Sequence, residues 1–236
     1  MILAISPHLD DVAFSCGGYL YDRARAGTRV RCLTVFTASV PEPTGFALAC
    51  QLDKGLDPGV DYLQLRRAED RNACRRLRVE PLHWDFPEAP HRGYSSAPAL
   101  FAGILPDDRL DTTALDRRLR ALLRQHQPTE VLYPFGAGNH ADHLQVIGAV
   151  GRIRPEFPDI RYRQYYDMPY ARKFRDRYPE LDTTVPARCL SGQTFTAKLA
   201  ACRAYTTQLA FQFGSADNVA TVLGDREYLY CPPPKS

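Results

Sequence analysis

The first eighteen residues, Met1 to Gly18, read MILAISPHLDDVAFSCGG, and their reading decides the fold. Met1 to Ile5 is an apolar run, long enough for a buried strand and too short for anything else. Ser6 and Pro7 end it, and a helix is predicted over Val12 to Arg25. His8, Asp10 and Asp11 crowd the turn between the two. The carboxyl end of a strand running into a helix is where open α/β sheets place their ligands. A single aspartate there can simply cap the helix and offset its positive end. Three ionisable side chains beside Gly17 and Gly18 point instead to a metal, because a His and an Asp three residues apart can meet one ion.

Two glycines inside a helix cost about 1 kcal/mol each relative to alanine, so something is expected to approach that backbone closely. Gly27 closes the helix and Thr28 to Ala38 forms the next strand, with Leu33, Val35 and Phe36 apolar. Strand, helix and strand in this order make a βαβ unit and hence a parallel sheet. Ser39 to Gln64 reads as a long loop near the His8 turn, with Pro41, Pro43, Gly45, Pro58 and Gly59. Leu65 to Arg78 is a charged helix, with Leu65, Ala68, Ala73 and Leu77 as its buried side and its arginines as a solvated face. Glu80 to Phe86 is a third strand, and Pro87 to Asp111 a second irregular stretch. His83 and His91, on its edges, are read as structural. Both irregular stretches are expected to rim a pocket.

Thr112 to Gln125 is a helix with Leu115, Leu119 and Leu122 on one stripe, Asp111 or Thr112 as cap and Pro128 beyond its end. Glu130 to Pro134 is the fourth strand. It leads into PFGAGNHADHLQVIGAV, residues 134 to 150, a second strand-to-helix junction carrying a His/Asp cluster. Asn139 is placed as the N-cap and Asp142 as a capping-box acid. His140 and His143 lie three apart on the first helical turn. Two such junctions can face each other across neighbouring parallel strands. His8, Asp11 and one of His140 or His143 then give a His2Asp set. Three protein ligands with an open position is the pattern of a catalytic zinc. The same set serves non-haem iron oxygenases. Asp10 is left over beside the metal, placed to act as a base toward a water.

Composition bounds the alternatives. The chain has 236 residues, 44% of them hydrophobic, and a formal net charge of +3. That is ordinary for a globular protein, and no concentrated basic patch points to nucleic acid. No apolar run approaches the roughly 18 residues that cross a bilayer. A strand beginning at Met1 leaves no room for a signal peptide, so a cytoplasmic protein is expected. The seven cysteines form no CxxC pair and are read as reduced.

SPHLDDVAFSCGG and GNHADH resemble the two motifs of the PIG-L/LmbE-like N-deacetylases, written PHPDDE and HPDH. LRRAEDRNAC, YYDMPY (Tyr165 to Tyr170) and KLAACRAYTTQ (Lys198 to Gln208) resemble further family stretches. The resemblance implies a Rossmann-like α/β fold and a zinc hydrolase that removes acetyl from an N-acetylated amino sugar. It implies His8, Asp11 and His143 as metal ligands and Asp10 as the base. It makes His140 the group that stabilises the oxyanion or protonates the leaving amine, and Asp142 the orienter of a neighbouring histidine. Leu9, Val12 and Ala141 depart from the motifs without removing a matched polar residue. A tyrosine found in some members two residues before the first histidine of the second motif is Gly138 here, with Tyr166 and Tyr170 as candidate replacements.

After Val150, strands are expected at Ile160 to Tyr166, Thr183 to Leu190 and Arg226 to Cys231. Tyr170 to Leu181 is expected to be helical in part, Thr194 to Gln208 a helix and Phe211 to Asp225 irregular. Residues 1–231 are read as one domain with a C-terminal extension packed over the sheet, and 232–236 as a mobile tail. Two other functions fit the same residues: an iron-dependent oxidoreductase, and a non-catalytic sugar-binding protein on the same fold. Iron(II) in place of zinc is an alternative for the deacetylase as well. The expected partner is a small N-acetylated sugar.

Overall fold

A computed structural model describes residues 1–178 and 187–232. Among them one sheet runs in the order β3-β2-β1-β4-β5-β7-β6. The strands are β1 (Ile2–Ser6), β2 (Val30–Thr34), β3 (Glu80–His83), β4 (Glu130–Pro134), β5 (Arg161–Tyr165), β6 (Ala187–Cys189) and β7 (Arg226–Tyr230). β1 to β5 are mutually parallel. β7 runs antiparallel to β5, and β6 antiparallel to β7. The fold is mixed α/β with a mostly parallel sheet, as the βαβ pattern required.

The helices are α1 (Asp11–Arg25), α2 (Gly45–Leu52), α3 (Tyr62–Leu77), α4 (Ala97–Leu100), α5 (Thr112–His126), α6 (Ala141–Ile153), α7 (Tyr170–Lys173), α8 (Gly192–Cys202), α9 (Thr206–Phe213) and α10 (Val219–Leu223). β1 shows why the sheet lies inside. Ile2 and Ala4 face one apolar layer with Leu20 of α1, Leu77 of α3 and Ala201 of α8. Leu3 and Ile5 face the other, with Leu119 of α5 and Val150 of α6. Alternation along a strand buried on both faces requires a continuous apolar run, which is what the sequence offers.

The chain leaves β1 toward β2 and β3, then returns to place β4 on the other side of β1. The β1/β4 boundary is thus the switch point of the sheet, where a crevice opens beyond the strand ends. Both His/Asp clusters sit there, on neighbouring strands.

Several boundaries differ from expectation for local reasons. The long loop after β2 contains α2, and α3 begins at Tyr62, where the Asp61 carboxylate accepts the Gln64 N–H at 2.8 Å. Asp111 caps α5 by accepting from Ala114 at 2.8 Å. The helix expected over Thr194 to Gln208 is two, α8 and α9, and α10 occupies part of the stretch read as irregular. The C-terminal extension does not simply lie over the sheet. It adds two antiparallel strands to the sheet and lays α8 against α1 and α3. The expected strand over 183–190 and the tail after Pro232 fall partly outside the described residues. All seven cysteines are free.

The two helical glycines have a clear cause. α1 breaks at Cys16, whose φ of −138° is not helical. The N–H groups of Gly18 and Tyr19 turn to the Glu227 carboxylate, each at 2.7 Å. A Cβ on Gly18 would stand 2.8 Å from the Leu190 side chain. Lys198 is buried and pairs with Glu227 at 2.8 Å. Removing one partner of a buried pair leaves an uncompensated charge. Lys198→Met is therefore expected to cost about 3–5 kcal/mol in urea unfolding. The double variant with Glu227→Gln should recover much of that loss, and equal loss in both would contradict the pairing.

Candidate metal centre and catalytic cleft

The β1 turn is tied by its own side chains. Ser6 Oγ donates to the His8 carbonyl at 2.6 Å and accepts the Val12 N–H at 3.2 Å. Asp11 Oδ2 accepts the His8 N–H at 2.8 Å. The same oxygen lies 3.4 Å from His8 Nδ1 and 3.4 Å from His143 Nε2. The Asp11 carboxyl sits well below the usual carboxylate range: burial opposes this, and His143 and His8 outweigh it.

The β4 loop is tied from outside. Asp167, after β5, accepts the Gly136 and Ala137 N–H groups at 2.7 and 2.8 Å with one oxygen. Its other oxygen holds His143 Nδ1 at 2.6 Å. His143 is fully buried, and its Nε2 has no hydrogen-bond partner. Its pKa is raised: burial opposes the charge, but Asp11 and Asp167 outweigh it.

An orphaned buried imidazole nitrogen facing a carboxylate is a vacancy for a cation. For a tetrahedral ion with bonds of roughly 2.0–2.1 Å, ligands stand roughly 3.4 Å apart, the spacing seen around Asp11 Oδ2. The His8, Asp11 and His143 atoms lie within 4.8 Å of one another and fit a metal. His8, His140 and Asp142 are as closely grouped. There, however, Asp142 is already neutralised by Arg92 at 2.7 Å, and His140 Nδ1 accepts the Asp142 N–H at 3.2 Å. The first set is the better fit.

His140, not Asn139, caps α6. Asn139 takes a positive φ of 65° and ends the loop one residue earlier, with its side chain donating to the Phe101 carbonyl. Asp142 is no capping-box acid. It is fully buried and holds His8 Nε2 at 2.8 Å, the Ala89 N–H at 3.1 Å and Arg92. Burial raises its pKa, but Arg92 and His8 hold it well below the carboxylate range. Those carboxylates in turn raise the pKa of His8 against burial. His140 is pushed the other way, well below the imidazole range, by burial and by His8. It is neutral at pH 7, and with Nδ1 accepting, its proton is on Nε2.

Asp10 is buried beside Arg66, 3.3 Å away, and Arg66 also holds Glu88 at 2.7 Å. Burial, only partly offset by Arg66, pushes the Asp10 carboxyl up to about 6. Arg66 corrects the sequence reading of α3 as an apolar face with solvated arginines. The buried stripe is Leu63, Arg66, Asp70, Ala73, Cys74 and Leu77, while Leu65 and Ala68 are exposed. Asp70 binds His83 and the Tyr205 hydroxyl, both at 2.7 Å, so His83 is structural.

His8, Asp10, His140 and Asp142 lie at the floor of a cleft of about 160 Å³. Both irregular stretches rim it, the first with Phe46, Lys54 and Tyr62, the second with Glu88, Leu100 and Phe101. Of the two tyrosines proposed to replace the residue at Gly138, Tyr170 lines the cleft and Tyr166 stacks on Phe135 at 4.2 Å. Gly138 itself has a φ of 87°, and a Cβ there would meet Phe174 and Tyr170 at 3.2 and 3.3 Å. Asp167, Arg66 and Arg92 are the site residues that motif reading did not assign. Asp167 stands within YYDMPY, a stretch flagged by resemblance but given no role.

A family model described as GlcNAc-PI de-N-acetylase, PIG-L, matches residues 3–153. 2'-N-acetylparomamine deacetylase of Streptomyces fradiae is 35% identical over 177 residues, 72% of this chain. The chain spans 57% of the length of that relative. Among solved structures, the zinc-inhibited form of teicoplanin deacetylase Orf2 superposes with a TM-score of 0.81 at 25% identity, covering 97% of this chain and 96% of that one. The A40926 pseudoaglycone deacetylase Dbv21 superposes at 0.80 with 28% identity, covering 98% and 96%. With a matched family model over most of its length, and both of that family's His/Asp motifs meeting at the sheet's switch point, the chain belongs to the PIG-L family.

Proposed function

We propose that the protein is a metal-dependent hydrolase that removes acetyl from an N-acetylated amino sugar, with zinc as the ion and His8, Asp11 and His143 as its ligands. The observation that carries this is the buried, unpartnered His143 Nε2 facing Asp11 at the cleft floor, beside the carboxyl group of Asp10. The named relatives, all deacetylases, support it. Seven free cysteines accord with a reducing cytoplasm.

A bound metal would polarise the amide carbonyl and lower the pKa of water at neutral pH. The chain does the rest. Asp10 takes the proton from the attacking water, since its carboxyl lines the cleft and its pKa is nearer neutrality than an ordinary aspartate's. Arg66 and Glu88 hold that carboxyl in place. Neutral His140 donates from Nε2 to the acyl oxygen as negative charge develops. Because burial keeps His140 neutral, it is a hydrogen-bond donor and not the acid expected as one option from the sequence. Protonated Asp10 returns its proton to the leaving amine. Asp142 orients His8, and Asp167 orients His143.

Acetate release from a panel of N-acetyl sugars, with metal analysis, tests this reading. The protein should bind about one equivalent of zinc and lose activity to a chelator, and zinc should restore it. Iron(II) fits the same donors, and restoration by iron alone would replace the metal assignment. A metal-loaded protein that binds sugar but releases no acetate would be the non-catalytic alternative. An oxidised product would be the oxidoreductase. Asp167→Asn should weaken zinc binding by about 10- to 100-fold, the range for losing a group that orients a ligand. Competition with a chromogenic chelator measures it, and an unchanged affinity would remove Asp167 from the site.

A further inference from the structure

The cleft has an apolar side that the hydrolytic chemistry does not use. Phe211, on α9, is 55% exposed, more than any other large apolar side chain among the described residues. A lone exposed phenylalanine needs no explanation, but this one shares its cleft with Phe46, Leu100, Phe101 and Tyr170. The strip starts at the reacting groups. The Phe101 ring stands edge-on to His140 at 5.2 Å between centroids and 5.5 Å from Tyr170. It ends at Phe211, which is not loose. The Lys54 ammonium lies 4.4 Å from the Phe211 centroid and 5.4 Å from that of Tyr62, and it donates to the Cys50 carbonyl at 2.7 Å. A ring held on one face by a cation still offers the other.

The charges argue against a polyamine at this mouth. Asp10 and Glu88 are taken by Arg66, and Asp142 by Arg92 and His8. Asp53 is the one cleft carboxylate without an ion pair among the described residues, and it neighbours Lys54 in the chain. Nor is there room to enclose a large substrate. At about 160 Å³ the cavity falls below the roughly 300–1,000 Å³ of ligand pockets. It takes the acetamido end of a sugar, and whatever the sugar carries must lie on the rim.

We infer that this rim is an aglycone subsite, in which Phe211, Phe101 and Phe46 select an amino sugar bearing an apolar, aromatic aglycone. The inference rests on the deacetylase reading above for what the cleft floor does, and on the rim alone for what is selected. It separates this chain's substrate from a cationic aminoglycoside.

The test uses the zinc-loaded protein and three N-acetyl-β-glucosaminides, with methyl, phenyl and 2-aminoethyl aglycones. Calorimetry gives affinity and acetate release gives kcat/KM. The phenyl glycoside is expected to bind at least tenfold more tightly than the methyl, with its kcat/KM gain arising in KM. The aminoethyl glycoside should do no better than the methyl. Phe211→Ala should bring the phenyl-to-methyl ratio to within about twofold of unity. Equal affinity for methyl and phenyl, a preference for aminoethyl, or a ratio untouched by Phe211→Ala would each overturn the subsite. Acetate release at one kcat/KM from all three would leave the deacetylase reading standing and the subsite refuted. A Phe211-dependent phenyl preference in calorimetry with no acetate released would do the reverse.

Discussion

Asp10→Asn is expected to keep its zinc and its fold while turning over about 10²–10⁴-fold more slowly, the range for loss of a general base. Asparagine has the same shape and cannot accept the water's proton. The fold should survive because the charge removed is one of two carboxylates on Arg66. Glu88 remains at 2.7 Å and keeps that buried guanidinium paired. The loss should fall on kcat, since Asp10 is no ligand in the proposed set and need not contribute to ground-state binding. Single-turnover acetate release, metal content and a urea midpoint together test this. Near wild-type turnover in Asp10→Asn would sink the hydrolytic mechanism. Loss of metal in that variant would move Asp10 into the ligand set.

The second large effect separates the two histidines of the second motif. His143→Ala should empty the site and abolish turnover, whereas His140→Ala should keep about one equivalent of zinc and still lose turnover. The reason is what each ring nitrogen already does. His143 Nε2 has no partner in the protein, so a metal is the partner it lacks. His140 spends Nδ1 on the start of α6 and is held neutral by burial, which leaves Nε2–H for the acyl oxygen. His143→Ala should remain folded, because Asp167 keeps two backbone donors at Gly136 and Ala137. His140→Ala should cost roughly 1 kcal/mol of stability, the ordinary cost of a lost cap. Metal analysis of the two variants decides the matter. If His140→Ala loses zinc and His143→Ala retains it, the roles are reversed and the ion sits in the His140 and Asp142 group.

The sequence by itself determined what is local. A five-residue apolar run, a turn and an amphipathic helix are encoded within one stretch of chain. So β1, α1 and β2 were legible, as were β4 and the leucine stripe of α5. The periodicity that encodes them depends on nearest neighbours along the backbone. The His8/Asp11 and His140/His143 clusters were legible because each is packed into one turn, and a parallel sheet sends all its strand ends to one edge. The pair of glycines correctly announced a close approach to α1.

What approaches α1 is Glu227, more than two hundred residues away, and that only the tertiary structure decided. The same holds for every group that orients the site. Asp167 reaches His143 from the end of β5, Arg92 reaches Asp142 from a loop with no regular structure, and Arg66 reaches Asp10 from α3. An arginine on a charged helix reads as solvated, because exposing it costs nothing locally. Burying it is tolerable only when carboxylates from other elements meet it, and no pattern within α3 records that they do. The choice of Asn139 as cap failed for a related reason. Asparagine and histidine can both cap, and the Asn139 backbone was committed to a left-handed turn. Protonation was likewise a tertiary decision. His140 and His143 stand three residues apart on one helix with opposite pKa shifts, because Asp11 and Asp167 face one ring and His8 stands against the other.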